Sequence, residues 1–257
     1  MAKTLISYNV NGIRAAKRKG FDEWLESTQA DVVVIQETKA QHDQIEEEPF
    51  SNLGYHCYWH SAEKKGYSGV GILSKEKPKH VEIGCGLDYI DREGRIIRAD
   101  FEDYSVMSVY IPSGSSGDAR QDFKMEFLKD FKNYISALIK DIPNLIIGGD
   151  FNICHTEIDI HNPKSNKDTS GFLPEERAWV SSFLEIGMHD SFRTVYPDLK
   201  DQYSWWSYRA NARANNKGWR IDYQMVSAAL KERISAANIL TKAMHSDHCP
   251  VQLSLDF

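Results

Sequence analysis

No run of apolar residues in this chain is long enough to cross a bilayer, and no charged-then-apolar leader opens it. The four cysteines, Cys57, Cys85, Cys154 and Cys249, include no C-x-x-C pair. That excludes a zinc knuckle and argues against a disulfide framework, and it suits reduced thiols in a cytoplasmic protein. The glycine- and serine-rich stretch 112–117 lacks the Gly-Lys-Ser/Thr ending of a phosphate-binding loop, which excludes a nucleoside-triphosphatase of that type. Internal repeats, low-complexity tracts and linkers are also missing, so one domain is expected over residues 1–257, with no separate N-terminal segment for redox or partner binding. Positive charge is in deficit too. Thirty-one Lys and Arg against 37 Asp and Glu leave a formal charge of −6. A nucleic-acid-binding domain is often basic, so contact with a polyanion would have to rest on local patches.

What the chain does contain is a repeated way of ending a strand. Leu145-Ile146-Ile147 runs into Gly148-Gly149 and then Asp150-Phe151-Asn152. The apolar run reads as a buried strand, and the glycines permit a sharp exit and a close approach. In a strand-like tip, residues two apart share a side, which would put Asp150 and Asn152 together. Asp and Asn also favour plain turns, so this stretch alone does not decide. The pattern recurs in residues 4–10, which lead into Asn9-Val10-Asn11-Gly12. It recurs again where Val32-Val33-Val34-Ile35, a strand buried on both faces, leads to Gln36-Glu37-Thr38-Lys39. A carboxylate such as Glu37 at a strand end is costly unless solvated, paired or bound to a metal. One or two carboxylates of this kind suit Mg²⁺ or Mn²⁺.

Further strands are expected over 55–59, 69–73, 95–101, 105–111, 220–226 and 251–255, with helices over 21–27, 118–140 and from Pro174 onward. The 118–140 helix carries a packing stripe of Phe123, Phe127, Phe131, Tyr134 and Leu138. Each half delivers polar groups from strand ends, as two α/β layers packed face to face would. Local basic patches are Arg14, Lys17, Arg18 and Lys19; Lys64 and Lys65 before Gly66-Tyr67-Ser68-Gly69; and Lys164 and Lys167 around Asn166. Residues 204–220 hold Trp205, Trp206, Tyr208 and Trp219 among Arg209, Arg213, Lys217 and Arg220, without an acid. Aromatics stack on bases and sugars while cations meet phosphates; an aromatic core hairpin is the alternative. Near the C-terminus, Asp247-His248 and the strand residue Asp222 supply a histidine with carboxylates to orient it.

Taken in order, Asn9-Val10-Asn11-Gly12, Gln36-Glu37-Thr38-Lys39, Gly66-Tyr67-Ser68-Gly69, Tyr110-Ile111-Pro112, Gly149-Asp150-Phe151-Asn152, Trp219-Arg220-Ile221-Asp222-Tyr223 and Ser246-Asp247-His248-Cys249-Pro250 span the chain. This set resembles the exonuclease III family of apurinic/apyrimidinic endonucleases, within the exonuclease-endonuclease-phosphatase superfamily. The resemblance implies a four-layered α/β sandwich, two packed mixed β-sheets flanked by helices. It implies a monomer that hydrolyses duplex DNA 5′ to an abasic site with Mg²⁺ (or Mn²⁺), leaving a 3′-hydroxyl, with some 3′-to-5′ exonuclease and 3′-end trimming. Glu37 would be the main metal ligand, with Asn9, Asn11, Asp150, Asn152, Asp247 and His248 around the ion. Some members carry Asp where this chain has Asn11. Asp150 would orient and deprotonate the attacking water, held by Asn152. Tyr110 and His248 would contact the phosphate, and Asp222 would orient His248. Trp205, Trp219 and Ile221 would wall a pocket for a flipped-out sugar, and Arg209 would wedge into the duplex. Arg14, Lys19, Lys39, Tyr67, Ser68 and Asn166 would complete the DNA contact. A superfamily phosphatase or phosphodiesterase acting on inositol phosphates or lipids would share Glu37, Asp150, Asn152 and the Ser-Asp-His end, but would not need the tryptophans or the basic flank.

Overall fold

Two strand–helix–strand units stand at the centre of the computed structural model, which describes residues 2–257. The strands, in chain order, are β1 (Ala2–Asn9), β2 (Val32–Gln36), β3 (His56–His60), β4 (Val70–Ser74), β5 (His80–Ile83) and β6 (Ile96–Asp100). They continue with β7 (Ser105–Tyr110), β8 (Leu145–Asp150), β9 (Met188–Asp190), β10 (Asp222–Ser227), β11 (Ile234–Ile239) and β12 (Val251–Asp256). One six-stranded sheet has the order β11-β12-β1-β2-β4-β3, and the other β5-β6-β7-β8-β10-β9. In each sheet the middle pair is parallel, β1 with β2 and β7 with β8, and the other neighbours are antiparallel. Parallel neighbours need a long crossover. Helix α1 (Phe21–Thr28) lies in the first crossover and α2 (Asp118–Asp141) in the second, while α3 (Pro174–Glu185) packs beside α2.

The apolar residues of the central strands alternate between two cores. Val32, Val34, Val106 and Ile146 meet between the sheets with Leu5 and Leu253. Val33 and Ile35 face outward onto Phe21 and Leu25 of α1. Ile147 faces outward onto Phe127 and Phe131 of α2 and Phe183 of α3. Helix, sheet, sheet and helix are therefore the four layers. Burial on both faces explains why these strands read as continuous apolar runs rather than as alternating ones. Each such Val or Ile contributes about 1.5–3 kcal/mol of burial.

Three strands were not anticipated: β5, β9 and β11. They lie at sheet edges, where one neighbour is missing and little apolar surface is needed. Of the four residues of β5, three are exposed.

Toward one end, the space between the sheets turns polar. Ser7, Asn9, Gln36, Ser108 and Gln224 are buried there. Gln36 Nε2 donates to Ser108 Oγ across the sheets (3.0 Å), and Ser108 Oγ donates to the Ile35 carbonyl (2.9 Å). These bonds pin the relative position of the two sheets. At this end β1, β2, β7 and β8 finish and the antiparallel β10 and β12 begin, so Asn9, Glu37, Tyr110, Asp150, Asp222 and His248 converge from different parts of the chain. This is the carboxyl edge where α/β sheets bind ligands.

Gly149 shows how tightly the second sheet is built. A Cβ there would collide with the Val109 carbonyl of the neighbouring strand. Gly149→Ala is therefore expected to lose about 1–3 kcal/mol of stability, read as a lowered urea midpoint with an unchanged slope.

Candidate active site

The site is assembled on unusual backbone. Asn11, Glu37, Lys39, Ser68 and Asn152 all lie in the left-handed region, with φ between 46° and 53°. That region is tolerable for Asn but strained for Glu and Lys. It corrects the reason expected for the Asp150–Asn152 pairing. The two do come together, but by a left-handed turn after the strand, not by strand alternation. Asn152 N donates to Asp150 Oδ1 (2.8 Å), and its Nδ2 reaches the Ile111 carbonyl (2.9 Å) and Asp150 Oδ2 (3.3 Å).

Asn9 joins the two sheets' carboxylates. Its Nδ2 donates to Glu37 Oε1 and to Asp150 Oδ2, each at 2.8 Å. Its Oδ1 accepts the Asn11 N–H (3.0 Å). Both ends of the Asn9 amide are thus engaged, and in this structure it bridges the two carboxylates. Lys39 Nζ lies 2.7 Å from Glu37 Oε2 and also donates to Asn11 Oδ1. Asn11 Nδ2 donates to Asp247 Oδ1 (2.9 Å), whose other oxygen accepts Trp205 Nε1 (3.0 Å). His248 Nδ1 meets Asp222 Oδ2 at 2.9 Å, and His248 Nε2 lies 3.8 Å from Asp150 Oδ2. Ser204 Oγ donates to Asp222 from behind (2.6 Å). Arg95, buried, holds Tyr110 by a bond to its carbonyl (2.8 Å) and lies 4.7 Å from its ring centre.

Burial and neighbours separate the charges. Burial pushes Asp150 up to about 8; His248 opposes this, and Asp222 and Glu37 add to it. Burial alone would lower His248, but the Asp222 and Asp150 carboxylates outweigh it and raise the imidazole to about 10. Burial would raise Glu37, yet the Lys39 ammonium and the Asn9 amide hold it below the ordinary glutamate range. Burial likewise works against Asp247, which His248, Asn11 and Trp205 keep low. Burial and the neighbouring Glu37 raise the Tyr110 phenol far above its ordinary value, so it stays a donor.

Glu37, Asp150 and His248 bring one potential ligand atom each within 4.8 Å of one another. The Lys39 ammonium marks where positive charge is accepted, between Glu37 Oε2 and Asn11 Oδ1. Hard oxygen donors around that point fit a small divalent cation. A protonated His248 fits as a donor rather than a ligand.

A cavity of about 380 Å³ opens in front of these groups. Trp205, Trp219 and Ile221 line one part of it, and Ser113, Ser115, Thr169 and Ser170 supply a hydroxyl-rich part. The two indoles meet edge to face, 6.0 Å between centres, and the backbones of Trp205 and Trp219 pair to close the base of the 204–220 loop. That loop divides its aromatics and cations. Trp206 and Arg220 are buried, while Tyr208, Arg209 and Lys217 are exposed. Arg220 bonds Asp159 and Asp190, and Arg213 bonds the carbonyls of Thr241, Ala243 and Ser246. These two arginines are structural, contrary to the reading of all four cations as phosphate contacts.

The other expected DNA contacts differ in setting. Arg14 and Lys19 are exposed, and Lys19 Nζ caps the His245 carbonyl (3.0 Å). Tyr67 is half-buried, its hydroxyl 3.0 Å from both Arg95 and Arg120. The Ser68 side chain is buried and turned from solvent, and Lys39 is occupied at Glu37. Asn166 directs its amide to the carbonyls of His161 and Asn162. Two site residues were missed: Tyr208, 70 % exposed beside Asn11 and Asp247, and Ser204 behind Asp222. Only the spacing of Tyr208 within the aromatic stretch signalled it.

Residues 6–248 match the Endonuclease/Exonuclease/phosphatase family. The chain belongs to this family. It is 48 % identical over 253 residues to an exodeoxyribonuclease of Bacillus subtilis (strain 168), covering 98 % of this chain and 99 % of that one. It is 40 % identical over 253 residues to the DNA repair nuclease APEX1 of Danio rerio, covering 98 % and 81 %. The structure of an AP endonuclease from Archaeoglobus fulgidus superposes with a TM-score of 0.92 at 28 % identity, covering 99 % and 100 % of the two chains. The two mixed sheets flanked by helices are thus the architecture of this endonuclease/exonuclease/phosphatase family member and of its structural neighbour.

The Asp222–His248 pair makes a pH prediction for protein freed of divalent ions. The folded imidazole titrates near 10, above its ordinary 6.5. Stability from this pair is therefore complete below pH 6.5 and is lost as pH rises through about 10. Ring ¹⁵N NMR should find His248 protonated at pH 8. Asp222→Asn should shift its titration downward and flatten the fall in stability above neutrality; an unmoved titration would show that Asp222 is not the partner.

Proposed function

We propose that this chain is a DNA-repair nuclease that hydrolyses the phosphodiester 5′ to an abasic site in duplex DNA, leaving a 3′-hydroxyl, with 3′-to-5′ exonuclease and 3′-end trimming as companion activities. The observation that carries this reading is the placement of the Glu37–Asn9–Asp150 bridge and the His248–Asp222 pair in front of a cavity lined by Trp205, Trp219 and Ile221. Relatives named exodeoxyribonuclease and DNA repair nuclease, and a structural neighbour described as an AP endonuclease, support the substrate class.

Hydrolysis of a phosphodiester needs an oriented water, neutralisation of the phosphate charge, and donors to its oxygens. Asp150 is the base. In its ionised form it accepts a proton from water, with Asn152 orienting the same carboxylate. His248, kept protonated by Asp222, and Tyr110 donate to the phosphate oxygens. Glu37, with Asn11 and Asp247 beside it, would hold Mg²⁺, or Mn²⁺ in its place. The ion supplies Lewis-acid neutralisation of the phosphate when bound. With an ion held there, Lys39 would release Glu37 and be free to contact the DNA.

The tryptophan-lined side receives the flipped-out sugar, whose apolar ring faces pack on Trp205, Trp219 and Ile221. Arg14, Lys19, Arg209 and Lys217 draw the backbone of the duplex to an acidic centre. Four free cysteines fit work in a reducing cytoplasm, and a site built from one chain fits action as a monomer.

The deciding assay is cleavage of an end-labelled duplex bearing one abasic-site analogue, with Mg²⁺ and with chelator. One Mg²⁺-dependent cut 5′ to the lesion supports the proposal. A soluble phosphomonoester cleaved as fast as DNA, with the duplex intact, would move the chain to the phosphatase branch of its family. Asp150→Ala should lower kcat by about 10³-fold or more while duplex binding persists; equal loss of binding would remove its role as base. Replacing Arg209 and Lys217 with Ala should reduce the slope of log affinity against log salt by about 1–2. Arg213→Ala should instead lower the melting temperature and leave that slope unchanged.

A further inference from the structure

Behind the cavity lies a buried charge pair that this reaction scheme does not use. Lys124, on α2 between Phe123 and Met125, and Glu176, in the first turn of α3, are both fully enclosed, with Nζ 2.6 Å from Oε1. We propose that Lys124 and Glu176 are positioning residues for the reaction: they hold, from behind, both the Asn152 turn beside Asp150 and the Ser170–Gly171 wall of the cavity. The inference rests on the nuclease reading above.

The bonds run in two directions. Lys124 Nζ donates to the Asn152 carbonyl (2.9 Å), and Asn152 in turn binds Asp150 through its N–H and side chain. Glu176 Oε2 accepts the N–H of Gly171 (2.6 Å) and of Leu173 (3.0 Å). Its Oε1 also accepts Gln121 Nε2 (3.1 Å), and Ser170 Oγ donates to Gln121 Oε1 (2.7 Å). Gly171 stands at φ +95°, where a Cβ would come within 2.9 Å of the Trp219 ring and 3.1 Å of the Asn152 carbonyl. Gly171 therefore lies close against both the tryptophan and the Asn152 turn, and one buried pair holds Gly171 and Asn152.

Stability alone does not account for charges in this place. A buried ion pair is often no more stabilising than apolar side chains of similar volume. An apolar pair, however, could not bond the Asn152 carbonyl or the two loop N–H groups. The pair therefore serves placement: Lys124 acts through Asn152 on the base, and Glu176 acts through Gly171 and Ser170 on the shape of the cavity.

This division gives the two ends different kinetic signatures, whereas a merely structural pair would lower all activities together. In the full chain with Mg²⁺, Lys124→Met should reduce kcat on the abasic-analogue duplex about tenfold or more with KM within about twofold, since small misplacement of a reacting group is costly. Lys124→Arg, which keeps a donor, should recover part of that kcat. Gln121→Ala keeps the ion pair but removes the shorter of the two bonds made by Ser170 Oγ, leaving its 3.5 Å approach to Glu176 Oε1. It should reduce the preference in kcat/KM for the abasic duplex over an intact one by about threefold. Losses that only follow the folded fraction in a thermal melt, with kcat per folded molecule and preference unchanged, overturn the proposal. If Lys124→Met does not fold, Glu176→Gln, which removes the charge and keeps the side chain's size, decides: a lower kcat per folded molecule or a lower abasic preference supports the proposal, and both unchanged overturn it. A wild-type chain that leaves the abasic duplex uncut refutes the nuclease reading itself, which separates the two failures.

Discussion

A single side-chain amide stands between two carboxylates from opposite sheets. Asn9 ends β1 of one sheet and donates both to Glu37, just beyond β2, and to Asp150 at the end of β8 in the other. Two buried carboxylates repel unless donors lie between and around them. Here the donors form a series. Lys39 holds the second oxygen of Glu37, Asn9 lies between the acids, and His248 faces the same Asp150 oxygen as Asn9, backed by Asp222 and then Ser204. Breaking this series at Asn9 would leave two acids to separate, and the sheet ends with them.

The same series makes two chemically similar groups different. Glu37, near the cavity mouth with an ammonium on it, stays ionised and available to a cation. Asp150, between the sheets and close to two other acids, is pushed toward neutrality. Such divergence between neighbouring carboxylates is how one site runs both charge stabilisation and proton transfer. It depends on the sheets keeping their relative position, which the Gln36–Ser108 bond and the apolar layer above it maintain. Buried charges at a distance serve the same end. Arg220 is locked between Asp159 and Asp190, and this fixes Trp219 and Ile221 on either side of it in sequence.

Much of this was legible in the chain. Continuous β-branched runs announced strands buried on both faces, because such residues find no favourable place at a water-facing edge. The polar tips at Asn9, Glu37 and Asp150 were visible because acids and amides directly after such runs are costly without a purpose. The short edge strands β5 and β9 were not, since an edge needs little apolar surface and leaves no period to read. Nor could the sequence sort the 204–220 cations. Arg209 and Arg213 are four residues apart and chemically identical, yet one is solvent-exposed and the other is bound to three carbonyls.

By itself, then, the order of residues determined the layers, the central strands and the chemical inventory of the site, because burial and turn preference act locally along the chain. Only the tertiary structure decided the roles within that inventory. Asn9 becomes a bridge, Lys39 an occupant of the Glu37 site, and Lys124 and Glu176 a buried pair, since each role depends on a partner brought in from a distant part of the chain. The distance from Asn9 to Asp150 is 141 residues in sequence and one hydrogen bond in space, and only the packing of the two sheets closes it.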